Sequence, residues 1–314
     1  MLNVNNFVVK QSENSAAILN RKTLSDFVNF LDVSEITTRA YIFGLKKFSE
    51  FINVNGVTNP TREHVLEFKR YLISQGLKAA SIALYMAGIR RFFQWLNDAK
   101  IYPDITIGVK SPKQEQGHKR DFLGATQLKA VLSSVNADNL IAKRNFAILS
   151  LMATGGLRTI EITRANIGDI QTIGGVYVLY VQGKGRNDKK EFVKLSQPVL
   201  NAINEYLNLR GHALENEPLF TSTSNRNKNG RLSTRSISGI AKEAMKKAGY
   251  NSKRLTAHSF RHAAITLALM AGESLSEVQY FARHRNINTT QIYAHNVDRL
   301  KSNCELSISN AIFN

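Results

Sequence analysis

Cysteine is almost absent from this chain: Cys304 is the single one in 314 residues. One thiol builds neither an internal disulfide framework nor a Cys-rich metal site, which fits a reducing cytoplasm. Long apolar runs are missing too. The first twenty residues, MLNVNNFVVKQSENSAAILN, lack the continuous apolar core of a leader, and no stretch of eighteen apolar residues follows. The expectation is therefore a cytoplasmic protein with no membrane partner. Acidic residues are scarce, with Asp plus Glu numbering 24 against 42 Lys plus Arg, a formal net charge of +18. An excess of that size implies a polyanionic partner, and with membranes set aside that partner is nucleic acid. Repeats and low-complexity tracts are absent, and 43% hydrophobic with 21% charged residues is ordinary globular composition.

The length suits two modest domains. From about residue 22 to 100 the pattern is helical. Tyr41, Leu45, Phe48 and Ile52 share one helix face, Val65, Phe68 and Leu72 a second, and Ile82, Tyr85, Ile89, Phe92 and Leu96 a third. Thr61 is a candidate N-cap and Gly76 a candidate stop. The result is a small helical bundle. Arg39, Lys46, Lys47, Arg90 and Arg91 fall off those apolar stripes. Singly each fits a solvated helix face; together they suit contact with DNA phosphates.

Residues 102–120, YPDITIGVKSPKQEQGHKR, hold two of the five prolines and a basic cluster that includes Lys110, Lys113, Lys119 and Arg120. We expect a DNA-binding domain over 1–106, a basic linker over 107–120 and a second domain over 121–314. In the second domain one clear hairpin, VYVLYVQG then EFVKL around the turn GRNDKK, interrupts longer helices that resume near Pro198. The fold class is thus mainly α with a small antiparallel β-sheet.

Four places in the second domain carry cationic or imidazole groups that neither a core nor a plain surface requires. In GGLRTIEI, Arg158 follows a glycine pair and Glu161 lies one turn on, spaced to orient the guanidinium, although the pair alone equally reads as an ordinary ion pair. Lys184 stands between two glycines at the hairpin tip. In LTAHSFRHAAITL, His258 and Arg261 are three apart and share a helix face, while His262 is assigned to another face and a structural role. His284 and Tyr293 are nine apart across NINTT. Tyr177 and Tyr280 are alternative phenols, Tyr280 reading as packing in an apolar helical context. No H-E-x-x-H pattern occurs, and no metal is expected.

With GLRTIEI, GKG, HSFRH and TTQIYAH in this order, the chain resembles the tyrosine recombinase family of phage integrases and Xer-type recombinases. One departure is visible: many members have Leu-Gly before the second histidine, whereas Ala282 and Arg283 stand here, a change able to alter the helix junction. The resemblance implies an N-terminal SAM-like core-binding domain and a C-terminal catalytic domain forming a C-shaped DNA clamp. It also implies a site-specific recombinase needing no cofactor, metal or ATP, which cleaves DNA through a covalent 3′-phosphotyrosyl link and exchanges strands through a Holliday junction. The catalytic set it implies is Arg158, Lys184, His258, Arg261, His284 and Tyr293, with Glu161 behind Arg158.

The physical chemistry agrees. Charge grows on a phosphodiester during attack, so cations must be preorganised around it. Arg158 and Arg261 suit the nonbridging oxygens, His284 adds a donor, and Tyr293 is the nucleophile. A free phenol has a pKa of about 10, so a proton acceptor is needed, and His258 is expected to serve. Lys184 would protonate the departing 5′ oxygen. The expected partners are double-stranded DNA recombination sites and a homotetramer on DNA formed by exchange of the tail, whose Leu300, Leu306, Ile308, Ile312 and Phe313 lack an evident local core. An accessory recombination factor is compatible. About twenty residues precede the bundle, too few for a further arm-binding domain, which favours a simple recombinase. A type IB topoisomerase would use the same chemistry without pairing sites, and a DNA-binding protein with a vestigial site is the other alternative.

Overall fold

The structure, a computed structural model, describes residues 17–113, 122–136, 138–183, 188–211 and 213–313. Lys119, Arg120 and Lys184 lie outside the described residues, as does the side chain of Leu300. The chain divides into two compact units, Met1–Gln116 and Gly117–Asn314.

Among the described residues the first unit has four α-helices: α1 (Arg21–Phe30), α2 (Glu35–Val54), α3 (Arg62–Ser74) and α4 (Ala79–Asp98). At α1 and α2 a polar side chain relieves an unpaired backbone N–H group: the Asn20 carboxamide oxygen accepts from the Thr23 N–H at 2.9 Å and the Ser34 hydroxyl oxygen from the Thr37 N–H at 3.3 Å. Thr61 occupies the N-cap of α3, and Gly76 takes the left-handed conformation just past its end. The apolar stripes turn inward. Phe48, Phe68, Phe92 and Ile52 are fully buried, while Tyr41 and Tyr85 are half-buried at the rim. Edge-to-face contacts such as Phe27 to Phe92, with centroids 5.2 Å apart, fill the centre.

The two tyrosines sit at the rim because α2 and α4 cross there backbone to backbone. A Cβ on Gly44 would lie 2.9 Å from the Tyr85 Cα, and one on Gly88 would lie 2.7 Å from the Tyr41 Cα. Only glycine fits at either position. The segment after α4 returns onto this unit: Ile105 and Val109 are buried in its core, and Arg62 and Arg90 donate to the carbonyls of Ile107 and Val109, each at 3.1 Å. Lys110 and Lys113 are exposed on that segment.

The second unit is built on α6 (Leu140–Gly155), which packs against α8 (Gln197–Arg210) and α10 (Ala257–Met270). Around them lie α5 (Ala125–Ser133), α7 (Thr159–Arg164) and α9 (Thr234–Lys247). Pro198 stands in the first turn of α8, where its missing N–H costs nothing. The expected hairpin is present as β2 (Val176–Val181) and β3 (Glu191–Lys194). A further strand, β1 (Ile170–Ile173), precedes it, so the sheet is three-stranded and antiparallel in the order β1-β2-β3. Sequence alternation missed β1 because little of that strand is buried. Leu179 pairs with both Ile170 and Val193, and Leu179, Val181 and Val193 face the core.

Last come α11 (Leu275–Ala282), α12 (Ile287–Lys301) and α13 (Cys304–Phe313). The first two pack on α10 through Ile265, Val278, Tyr293 and Val297, whereas no described residue of α13 is buried. Among the described residues no helix is long and apolar enough to cross a membrane.

Candidate active site

Helix α6 ends on a glycine pair. Gly156 takes the left-handed conformation and turns the chain sharply, which exposes its carbonyl and sets Arg158 at the N-cap of α7. Glu161, fully buried at the third position of α7, closes back on that cap. One carboxylate oxygen accepts from the Arg158 N–H and the other from its guanidinium, both at 2.8 Å. The guanidinium is thereby aimed by two contacts to a single carboxylate.

Helix α10 crosses behind this turn and contributes Arg261, which is 4% exposed. Its guanidinium donates to the Gly156 carbonyl at 2.6 Å and also to the Ala282 carbonyl, tying the α6 turn to the end of α11. There Arg283 stands where the resemblance leads one to expect glycine, held at φ 54° and ψ 45°. The sequence suggested an altered junction. The junction in fact keeps the left-handed turn that glycine favours, and the arginine folds inward, donating to Glu161 at 3.0 Å and to the Gly156 carbonyl at 3.2 Å. Glu161 thus serves two guanidinium groups. Arg283 is a site residue that the sequence reading missed; its signal was the departure from glycine itself.

The turn delivers His284, whose N–H donates to the Gln279 carbonyl at 3.1 Å and whose Nδ1 pairs with the Thr290 hydroxyl at 2.9 Å. Thr290 is fully buried one turn before Tyr293 on α12, so it orients the imidazole from within. The Tyr293 ring lies between two imidazoles, with centroids 6.2 Å from His284 and 5.3 Å from His262.

Its hydroxyl is hydrogen-bonded to His262 Nδ1. This corrects the assignment of His262 to another face. Residues four apart share a helical face, so His262 stands one turn along from His258 on the same side. Tyr280 also departs from expectation: it is 81% exposed and packs in no core.

Arg158, His258, Arg261, His262, His284 and Tyr293 all line one cleft of about 390 Å³, with Gly183 and Glu191 at the base of the β2–β3 hairpin on its wall. Arg164 donates to the Gly183 carbonyl at 3.0 Å and so anchors the hairpin. Lys184, next in the chain, lies outside the described residues. Of the basic residues in the first unit, Arg39 and Lys47 pair with Glu35 and Glu50 at 2.5 Å and 2.8 Å, Arg91 lies over the Phe30 ring, and Lys46 is half-buried.

The cations act on one another. Burial, then the charges of Arg158 and Arg283, lower the pKa of Arg261 to about 9, which leaves it protonated at neutral pH. Burial, then Arg261, Arg158 and Arg283, lower that of His284 to about 4, so it is neutral there. Burial pushes the Glu161 carboxyl up, but the Arg283 charge, the Arg158 N–H and the charges of Arg158 and Arg261 together hold it below the usual carboxylate range. The cleft is cationic, walled by buried guanidinium groups, and holds a phenol hydrogen-bonded to an imidazole.

Residues 121–299 match the phage integrase family, and residues 20–100 match the N-terminal SAM-like domain of phage integrases. The chain belongs to the phage integrase family. It is a site-specific tyrosine recombinase, an enzyme that cleaves and rejoins DNA. The tyrosine recombinase XerD of Listeria monocytogenes serotype 4b is 30% identical over 291 residues, covering 87% of this chain and 93% of that protein. Tyrosine recombinase slr0733 of Synechocystis is 30% identical over 233 residues, 74% of this chain and 73% of its own. The fold is shared with XerH recombinase bound to palindromic difH substrate in a post-cleavage complex, at TM-score 0.70 and 22% identity over 92% of this chain and 84% of that one. It is shared too with a lambda integrase dimer bound to a COC′ core site, at TM-score 0.68 and 15% identity over 93% and 83%.

Proposed function

We propose that this recombinase opens DNA by attack of the Tyr293 hydroxyl on a backbone phosphorus. The P–Oη bond forms, the P–O5′ bond breaks, and a 3′-phosphotyrosyl link conserves the energy for rejoining, so neither ATP nor a metal is consumed. The observation that carries this reading is the phenol of Tyr293, 6% exposed, with its oxygen in a cleft that also presents Arg158, Arg261 and His284. In that reading Arg158 and Arg261 clamp the nonbridging oxygens, Glu161 aims Arg158, and neutral His284 donates one further hydrogen bond. His258, exposed on the same helix face as Arg261, meets the same phosphate. Lys184 delivers the proton that the departing 5′ oxygen requires.

We assign DNA-backbone contact to Arg39, Lys46, Lys47, Arg90, Arg91, Lys110, Lys113, Lys119 and Arg120, with residues 1–106 as the core-binding domain, 107–120 as the linker and 121–314 as the catalytic domain. The DNA-bound recombinases that share this fold support double-stranded recombination sites as the substrate. On DNA, four copies assemble by exchanging tails and pass through a Holliday junction, in the cytoplasm. Support for the exchange comes from α13, whose Leu306, Ile308, Ile312 and Phe313 are all exposed. A hollow of about 430 Å³ beside α6, α10 and α11, lined by Leu267, Ala271, Val278 and Phe281 with Glu273 and Glu277 also on its wall, is of a size to receive such side chains.

A supercoiled plasmid bearing two copies of the DNA that flanks the gene tests the reading. Deletion or inversion between the copies is the expected product. Relaxation of the plasmid without recombination would instead identify a topoisomerase.

A further inference from the structure

We propose that His262, outside the catalytic set that the sequence motifs imply, is a catalytic residue: the base that takes the proton of Tyr293 as the phenol attacks. The inference rests on Tyr293 being the nucleophile and deepens that reading. Three observations carry it. His262 Nδ1 is hydrogen-bonded to the Tyr293 hydroxyl, the atom that must lose a proton. The two rings are in contact, tilted by 33° with centroids 5.3 Å apart, so the pair is held by packing as well as by the hydrogen bond. His262 is half-buried on α10 and Tyr293 buried on α12, two helices joined through a common apolar cluster, so neither partner depends on a loop for its position.

To act as the base, His262 takes the neutral tautomer with its proton on Nε2, which leaves a lone pair on Nδ1 to accept from the phenol O–H. On attack the O–H proton moves to Nδ1, giving imidazolium. The oxygen's electron pair forms P–Oη, and the P–O5′ pair leaves with the 5′ oxygen, which takes its proton from the general acid. The surrounding charges shape that transfer. Arg261 on the same helix, Arg158 across the cleft and Arg283 with His284 at the α11–α12 junction face the pair, with Glu161 behind Arg158 and Glu191 on the hairpin wall. His258, the proton acceptor expected from the sequence, stands exposed one helical turn away on the same cleft, and we move that role to His262.

The test uses the full chain and a nicked duplex carrying the mapped cleavage site, so that single-turnover covalent adduct is read directly. His262→Asn keeps a polar group near the Nδ1 position but accepts no proton, and His262→Phe keeps the ring. Loss of general-base assistance lowers adduct formation by roughly 10²- to 10⁴-fold in both. Two further arms separate base from acid and from scaffold. A bridging 5′-sulfur at the scissile phosphate, a leaving group that needs no protonation, does not restore His262→Asn. Fluorinated tyrosine at position 293, a more acidic phenol, speeds His262→Asn by a larger factor than it speeds the parent. Adduct formation by His262→Asn within about threefold of the parent, or the same response to fluorination in both, would overturn the assignment. An adduct on another residue of the parent would overturn the nucleophile itself, an outcome read from the parent alone.

Discussion

At the scale of single residues the site is a network of guanidinium groups around one carboxylate, and its least expected member is Arg283. A non-glycine residue in the left-handed region costs about 1 kcal/mol or more, here offset by contacts to Glu161 and Gly156. Arg283→Gly leaves the turn intact, because glycine adopts that conformation freely, and removes one of the charges that hold the His284 pKa near 4. Its titration, followed by NMR, should move up toward the ordinary histidine range. The same shift appears in stability. His284 has a folded pKa below its unfolded value of 6.5, so stability is fully present above about 6.5 and is lost as pH falls toward about 4. Denaturant titrations at several pH values should show a smaller loss in Arg283→Gly. An unchanged His284 titration would separate Arg283 from the site's electrostatics. Arg158, Arg261 and Tyr293, which meet in one cleft, were legible in the sequence because each sits in a short motif of recognisable residue type and spacing. Thr290 and the role of Arg283 were not, since buried contacts between distant segments leave no local pattern.

At the scale of elements, helical periodicity located the first unit well because its stripes are apolar on one face and charged on the other. Leu45, Phe48 and Ile52 are buried as their spacing requires. What periodicity could not show is why two of its stripe positions are tyrosines at a rim. Gly44 and Gly88 let α2 and α4 touch, a tertiary fact visible only once the helices are paired. Gly88→Ala, with its new methyl 2.7 Å from the Tyr41 Cα, forces the helices apart. The expected loss is about 1–3 kcal/mol of unfolding free energy, larger than the gain in helix propensity. Chemical denaturation measures it, and a stabilised variant would contradict the close crossing. The same limit explains His262. Its face was assigned from the neighbouring His258 and Arg261, yet a four-residue step keeps it with them, and the packing of α12 on α10 brings Tyr293 to it.

At the scale of the whole molecule, the +18 net charge was the first indication of a polyanionic partner, and the buried cationic cleft gives that charge a focus. Composition supplied the partner class and motif order supplied the chemistry. The DNA sequence recognised is not legible in either, because it depends on which side chains enter which groove. The central claim is that one phenol becomes bonded to DNA, and trapping that bond tests it most directly. After incubation with a nicked duplex from the flanking DNA, the protein is digested and the nucleotide-bearing peptide sequenced by mass spectrometry. The account predicts a 3′-phosphonucleotide on Tyr293 and none in Tyr293→Phe. An adduct on Tyr280 or Tyr177, or one that persists in Tyr293→Phe, would contradict it.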